Sequence, residues 1–539
     1  MSDSSPSVSS ESTSTESETG HRPVIRRRLR LLVYGIAFSF IAFRLFDVLN
    51  VPELEVGPAT TVVAGPIQED GLVNYAEVLN LELSRNVTPE NNAAVLFARA
   101  FGPTLVAEPI RDEYFEQLGM TTPPSDGAYL MPLEDFVFLS RIPLGEMPPT
   151  LFSDTLHWYL PFTPEQKPAV SAWLAESGDA LALIHEACER EYCYSPIVMR
   201  PGMSLSEAGY DHTLHGGLTA IALYYRCLMN IGTGNMEQAC DDALTCHRLA
   251  RLLTHHPFPI CFMISSGVSR MASVATEKIV LSGKLSPEAA QRLRRELDAL
   301  PEFREFDRTV EFGVRFVSLD AAQRLFHGTQ PAVGAPVPQI VLGSLDGNVL
   351  LRSINHSFDE IESAMGVEDR EERWNRLQKL SANYSNLQQV DLHDPVLMTR
   401  MLVLERRSTL SRRVANVKMR DWTPPFLMIQ ELEEVVAVSA ELNRLGSVLA
   451  EYQAAHGEYP ESLQELVPEY LSRVPIDNFD GKPLKYYRIE DGFALYSVGP
   501  DGSDDLGLRR GSSKDLAFGT YVNPLIASRR QALTSTVAN

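Results

Sequence analysis

Four aspartates, Asp501, Asp504, Asp505 and Asp515, crowd a glycine-rich stretch near the C-terminal end of this 539-residue chain. Carboxylates this close repel one another unless solvent or a hard cation screens them, and calcium takes roughly six to eight oxygen ligands of this kind. Asp, Ser and Gly are equally the residues of solvated turns, so composition leaves both readings open. Histidine supplies a second candidate set: His212 with His215, His247 beside Cys246, and the pair His255-His256. No His-Glu-x-x-His run occurs, and His212 has only Asp211 as an adjacent acid, so an exported metal-dependent hydrolase is an alternative without its signature. Gly-x-Ser-x-Gly, the P-loop and the dinucleotide fingerprint are also absent, and nothing marks a nucleophile.

Six cysteines (Cys188, Cys193, Cys227, Cys240, Cys246 and Cys261) fall in one stretch. In an oxidising compartment an even count permits disulfides. Cys227, Cys240 and Cys246 lie on helical patterns where a thiol acts as a small buried hydrophobe, so mostly free thiols are expected, with Cys188 and Cys193 the pair best placed to bridge. No Cys-x-x-Cys occurs, which removes the zinc-ribbon signature.

The elements that position these residues begin with the balance of charge. There are 70 Asp and Glu against 48 Lys and Arg, a net charge of −22, which argues against a nucleic-acid partner. A hydrophobic fraction of 44% is ample for large cores. Residues 1–28 open with Ser, Thr and Glu, too polar to offset the entropy of ordering, and read as a disordered cytoplasmic tail. Arg22, Arg26, Arg27, Arg28 and Arg30 then precede the uncharged run Leu31 to Phe43. Thirteen helical residues reach only about 20 Å. The hydrocarbon core is roughly 30 Å thick, so a span must extend over 29–51 and carry Arg44 and Asp47, which lie on one helix face. No small-x-small cleavage site follows promptly and the run has no polar face, so a signal anchor is favoured over a cleaved signal peptide or a surface helix. No Lys or Arg lies between Arg44 and Arg85, so the tail stays inside and the acidic body is exported.

The middle of the chain reads as helical. Thr88-Pro89-Glu90, Thr163-Pro164-Glu165 and Ser286-Pro287-Glu288 each offer a hydroxyl cap, a Pro and an acid, the pattern of a helix start. Leu214, Leu218, Ile221, Tyr225 and Leu228 share one helix face, Gly232-Thr233-Gly234-Asn235 breaks the pattern, and a second stripe begins at Met236. No 34-residue period repeats this helix pair, so the expectation is an irregular helical bundle over 161–320. Residues 52–160 read as mixed helix and loop, and 321–425 as an irregular helical linker with a loop at Gly328–Gly343. The basic stretch Arg406, Arg407, Arg412 and Arg413 reads as a solvated helix face. Thr88 to Ala94 and Trp173 to Cys188 resemble large bacterial membrane-anchored proteins of unassigned reaction, a likeness that speaks to architecture only.

After Pro424-Pro425 a stripe of Val435, Val438, Leu442, Leu445, Leu449 and Tyr452 predicts a long helix ending at His456-Gly457. Then come HGEYPESLQELVPEYL, VPIDNFDGKPLKY, a hairpin pattern around Asp491-Gly492, and LYSVGPDG. Taken in this order, residues 426–525 resemble the globular domain of pseudopilin G of bacterial type II secretion, with 526–539 a flexible tail. The resemblance implies a long helix packed on a small antiparallel sheet and a calcium ion on the loop of Asp501, Asp504, Asp505 and Asp515. The chain departs from that family in lacking the early Glu of the apolar helix and in carrying its anchor far upstream, so pseudopilin-like processing is not expected. The whole predicts a mainly α protein with a small α+β C-terminal domain: a single-pass, membrane-anchored extracytoplasmic binding or scaffold protein with an envelope protein partner. An accessory role in a type II secretion-like system is a further alternative.

Overall fold

The computed structural model describes residues 22–49, 52–142, 149–151, 156, 159–200, 202–208, 211–303, 309–326, 342–386, 405–489, 492–507 and 514–518. The tails 1–21 and 526–539 and most of the Gly328–Gly343 loop lie outside the described residues. The chain is mainly helical, with one three-stranded antiparallel sheet near its C-terminal end.

Helix α1 (Arg22–Leu49) carries the apolar run. Leu31, Leu32, Val33, Tyr34, Ile36, Phe38, Phe40, Phe43 and Phe46 on it are 41% to 74% exposed, so no core of the body covers them. Among the described residues, no helix is long and apolar enough to cross a membrane. The body begins with α2 (Tyr75–Leu83), α3 (Ala93–Phe101), α4 (Arg111–Gln117), α5 (Leu133–Ser140), α6 (Pro168–Glu176) and α7 (Gly178–Ala187).

Of the three hydroxyl-Pro-acid patterns, only Ser286 caps a helix, α11 (Pro287–Asp298), accepting a hydrogen bond from the Ala289 N–H at 3.2 Å. The other two form single turns that stop. Thr163 N–H donates to Gln166 Oε1 at 2.8 Å, but Lys167 precedes Pro168 and sits at φ −133°, so α6 starts afresh one residue later. Thr88 N–H donates to Asn91 Oδ1 at 2.7 Å, after which Asn92 takes over as the cap of α3.

The predicted helix pair is present as α8 (Asp211–Thr233) and α9 (Met236–Leu253), separated by Gly234 at φ +83° and capped by Asn235. The buried face of α8 is wider than its stripe, since Ala222, Leu223, Tyr224 and Cys227 are as covered as Tyr225 and Leu228. With α10 (Pro259–Leu281) laid across both, α8 is a central helix rather than a surface one.

The remaining helices are α12 (Arg315–Phe326), α13 (Gly347–Met365), α14 (Arg370–Asn386) and α15 (Arg407–His456). The apolar side chains form two cores. The first gathers residues from α3 through α11 together with Val438 to Ala450 of α15 and Leu463, Leu484, Phe493 and Phe518. The second gathers Val73 to Leu79, Phe258 to Phe262, α12, α13 and Leu410 to Ile429 of α15. Segment 321–425, read from sequence as an irregular linker, therefore owns a core. Its signal is the spacing of Leu351, Ile354, Phe358 and Ile361, all fully buried.

Helix α15 is 50 residues long and links the two cores. It starts at Arg407, not after Pro424-Pro425 as the sequence suggests, and continues through both prolines. Each proline removes one backbone hydrogen bond and disfavours the helix locally. Buried side chains on either side, Val414, Ala415 and Met419 before and Phe426 and Ile429 after, hold the two halves in line. Glu434 adds a cross-tie: Arg370 Nε and Trp374 Nε1 of α14 donate to its carboxylate, each at 3.0 Å. The Arg370 guanidinium also lies 4.9 Å from the Phe479 ring.

Extended segments outside the sheet pair with side-chain amides instead of strands. Asn80 gives Nδ2 to Ile197 O at 2.9 Å and takes the Ile197 N–H at 2.8 Å. Asn92 does the same to Tyr194 at 2.8 and 2.9 Å, and Gln323 to Val73 at 2.8 and 3.1 Å. Asn348 donates to Glu53 O and accepts from Glu55 N–H, both at 2.8 Å. An amide carries the same donor and acceptor as a peptide group, so each clasp satisfies backbone that a sheet would otherwise cover.

Gln323→Met keeps the volume and removes the hydrogen bonds, leaving both backbone groups of buried Val73 without partners. It is expected to destabilise the protein by about 2–4 kcal/mol, read from the denaturant midpoint, with the spectrum of the native state unchanged.

Candidate functional site

Strands β1 (Lys485–Ile489), β2 (Gly492–Ser497) and β3 (Leu516–Phe518) pair in that order, with Ile489 opposite Gly492 and Leu495 opposite Phe518. Gly492 is thus the first residue of β2, and the hairpin connection falls at positions 490–491, outside the described residues. Strand β3 is too short to signal itself in sequence. Asp477 fixes this sheet to the preceding loop: it is fully buried, and its carboxylate accepts from Ser497 Oγ at 3.0 Å, Val498 N–H at 2.9 Å and Phe479 N–H at 3.0 Å. The sequence assigns Asp477 no role beyond its place in the VPIDNFDGKPLKY stretch.

Between this loop, the end of α11 and one face of α15 lies a groove of about 520 Å³. Val438, Leu445 and Val448 of α15 line it together with Leu471 and Leu484, although most of its accessible lining is polar. Its rim is charged. Arg444 Nε lies 3.0 Å from Asp298 Oδ1, and its Nη1 lies 3.4 Å from Glu441 Oε2, while Arg473 stands exposed on the opposite lip. Arg294 pairs with Glu451 at 2.8 Å and donates to the backbone of Tyr470, a lining residue, at 2.9 Å. Neither histidine nor cysteine is among the groove's described lining residues.

Three of the four carboxylates of the acidic loop, those of Asp501, Asp504 and Asp515, have separate duties. Exposed Asp501 accepts from the Ser503 N–H at 3.0 Å, and Asp504 accepts from Tyr496 Oη and from the Leu506 N–H, each at 3.0 Å. Buried Asp515 accepts from the N–H groups of Asp505 at 3.0 Å and Gly507 at 2.7 Å, which ties the two ends of the loop together. At Gly499, φ is +70° and a Cβ would meet Lys514 O at 1.9 Å, so the loop can close only over glycine. Among the described residues, no group of three or more His, Cys, Asp or Glu side chains could hold a metal ion, so these four are not a ready-made donor set. Burial, then the charges of Asp504 and Asp505, push the Asp515 carboxyl up to about 6.

The histidines are drawn into packing. The side chain of His212 lies outside the described residues, and the His215 ring packs 4.8 Å from Phe101. His247 is buried 3.0 Å from Thr276 Oγ1, and burial lowers its pKa to about 3; His256 is likewise held down to about 4. Both rings are neutral at physiological pH. All six cysteines are buried and free, in line with the reading of mostly free thiols, and Cys188 and Cys193, the pair best placed to bridge, are not joined. Burial pushes the Cys188 thiol up and the nearby Cys246 and Cys193 push it further, so it is a poor nucleophile for disulfide exchange.

Compared with family models, with curated proteins and with solved structures, the chain matches none.

Two outcomes are expected of the site. Under non-reducing conditions a thiol reagent should find no fast-reacting cysteine in the native chain and all six after denaturation; fewer than six in denaturant would reveal a bridge. For Asp515, a carboxyl raised above its ordinary 3.8 binds its proton more tightly in the folded state. Its contribution to stability is complete below that value and is lost as pH rises through about 6. Asp515→Asn retains an acceptor for both N–H groups without the charge. It should therefore be at least as stable as the native chain at about pH 8, and its melting temperature should fall less between about pH 4 and pH 8.

Proposed function

We propose that this chain is a single-pass, membrane-anchored binding or scaffold protein of a bacterial envelope, with its body on the extracytoplasmic side. The observation that carries the reading is α1, whose described large apolar side chains, Leu29 and Phe46 among them, stand exposed. Side chains of this kind are stable only against another apolar medium, and a lipid bilayer supplies one. The arginines ahead of Leu31 give the orientation, tail inside and body outside. Free, buried cysteines are compatible with either side, because thiols shielded from an oxidant stay reduced.

In this reading the body acts by docking a protein partner in the groove beside Arg444. Aliphatic side chains between charged ones, with Arg444 already paired, suit a short amphipathic segment that places an acidic side chain against Arg444 or Arg473. The order of long helix and antiparallel sheet supports the likeness of the C-terminal part to pseudopilin G. Calcium enters through that likeness, and the mutual repulsion of Asp504, Asp505 and Asp515 is what a divalent cation would relieve.

The anchor is tested on the full chain in cells. It should resist alkaline carbonate extraction, and protease added outside an opened outer membrane should digest the body and spare the N-terminal tail. Recovery of the intact chain in the soluble fraction would contradict the reading. For calcium, a millimolar addition near pH 7 should raise the melting temperature of the native chain and not that of Asp515→Asn. An equal response of the two would take the ion off this loop.

A further inference from the structure

We infer that the pole of the body formed by the start of α13 and the start of α15 rests on the bilayer surface, where Arg406 and Arg412 meet the phosphates of anionic lipids. This inference rests on the anchor reading of α1. It begins from chain length. Helix α1 ends at Leu49, and Asn348 near the start of α13 already clasps the backbone of Glu53 and Glu55. Four residues of chain reach at most about 14 Å, so Glu53 stands within that distance of the end of α1, and the start of α13 lies only one Asn side chain beyond it. The clasp is reinforced on the same helix, where Arg352 pairs with Glu55 and Asn355 Nδ2 donates to Thr60 O at 2.7 Å. The body is thus fixed close to its anchor rather than hung on a flexible linker.

The same pole contains the start of α15. The Asp346 N–H, at the cap of α13, donates to Ser411 Oγ at 2.7 Å, and buried Arg407 donates to Leu345 O at 2.8 Å and Gly343 O at 3.2 Å. Residues flanking these contacts carry the basic stretch. Arg413 is paired with Glu405 at 3.0 Å, and Glu55 is taken by Arg352. Arg406 and Arg412 are exposed, with exposed Glu53 as the opposing charge nearby in sequence to the anchor. In an acidic body, two outward guanidiniums beside the anchor's exit are placed to meet lipid phosphate, which attracts basic side chains close to an anionic surface. The groove lies far from them: 32 residues of helix separate Arg412 from Arg444, a length of roughly 50 Å.

The test uses the full chain in nanodiscs of phosphatidylcholine, or of an equal mixture with phosphatidylglycerol, carrying a headgroup-linked acceptor dye. A donor dye is placed on Thr409→Cys or, beside the groove, on Ser472→Cys; both positions are exposed, and the native cysteines are buried. The donor at 409 should be quenched more than the donor at 472, and more deeply with phosphatidylglycerol present. That increment should be lost in both Arg406→Glu/Arg412→Glu and Arg406→Gln/Arg412→Gln. A chain that enters nanodiscs but shows no dependence on phosphatidylglycerol at 409, or keeps it in the double variants, overturns the contact alone. Stronger quenching at 472 overturns the orientation. A chain that does not enter nanodiscs overturns both this contact and the anchor reading.

Discussion

The continuity of α15 is the constraint on which the rest of the body depends. Its first half is sealed into one core by Leu410, Val414 and Ile429, and its second half into the other by Leu442, Leu445 and Leu449. Two consecutive prolines mark the place where such a helix would be expected to break, and packing on both sides outweighs the lost backbone bonds. Because one helix belongs to both cores, the C-terminal sheet is not a bead on a string. Gly446 makes the point locally: a Cβ there would meet the Phe518 ring at 2.4 Å, so the helix approaches β3 closely enough to exclude any larger residue.

The second organising device is the use of amide side chains as substitutes for strands. A chain with little sheet still runs extended between helices, and that backbone must be satisfied when buried. Asn80, Asn92, Gln323 and Asn348 meet this requirement from rigid helical or cap positions. Each clasp is specific to one backbone site, unlike an apolar contact, so together they fix the register of the segments that enter and leave the cores. The segment after the apolar helix is the most heavily clasped, Asn348 holding the backbone of Glu53 and Glu55 and Asn355 that of Thr60, which fixes it to α13.

Much of this was legible from residue order, and the exceptions have physical causes. Periodicity found α8 and α9, the turn between them and the second half of α15, because burial on one or more faces leaves a stripe. It mistook Thr88 and Thr163 for helix caps because a one-turn box and a true cap share the same first hydrogen bonds; the residue a few positions later, Asn92 or Pro168, decides where the helix propagates. Pro424-Pro425 was misread as a boundary because local propensity carries no information about cores on either side. The amide clasps were invisible because their partners lie far apart in sequence, Gln323 and Val73 for example. The groove was equally hidden, since Asp298, Arg444 and Arg473 come together only when α11, α15 and the loop are folded. The acidic loop was legible as a cluster, but the structure distributes its carboxylates among turn, strand and loop closure.

Hydrogen exchange of the full chain, monitored along residues 407–456, tests the shared helix most directly. If α15 is one member of two cores, amides on both sides of Pro424-Pro425 open together, at the free energy of global unfolding. Exchange in which 438–456 and the sheet open as a separate unit, while 407–429 stays protected, would contradict a single spine.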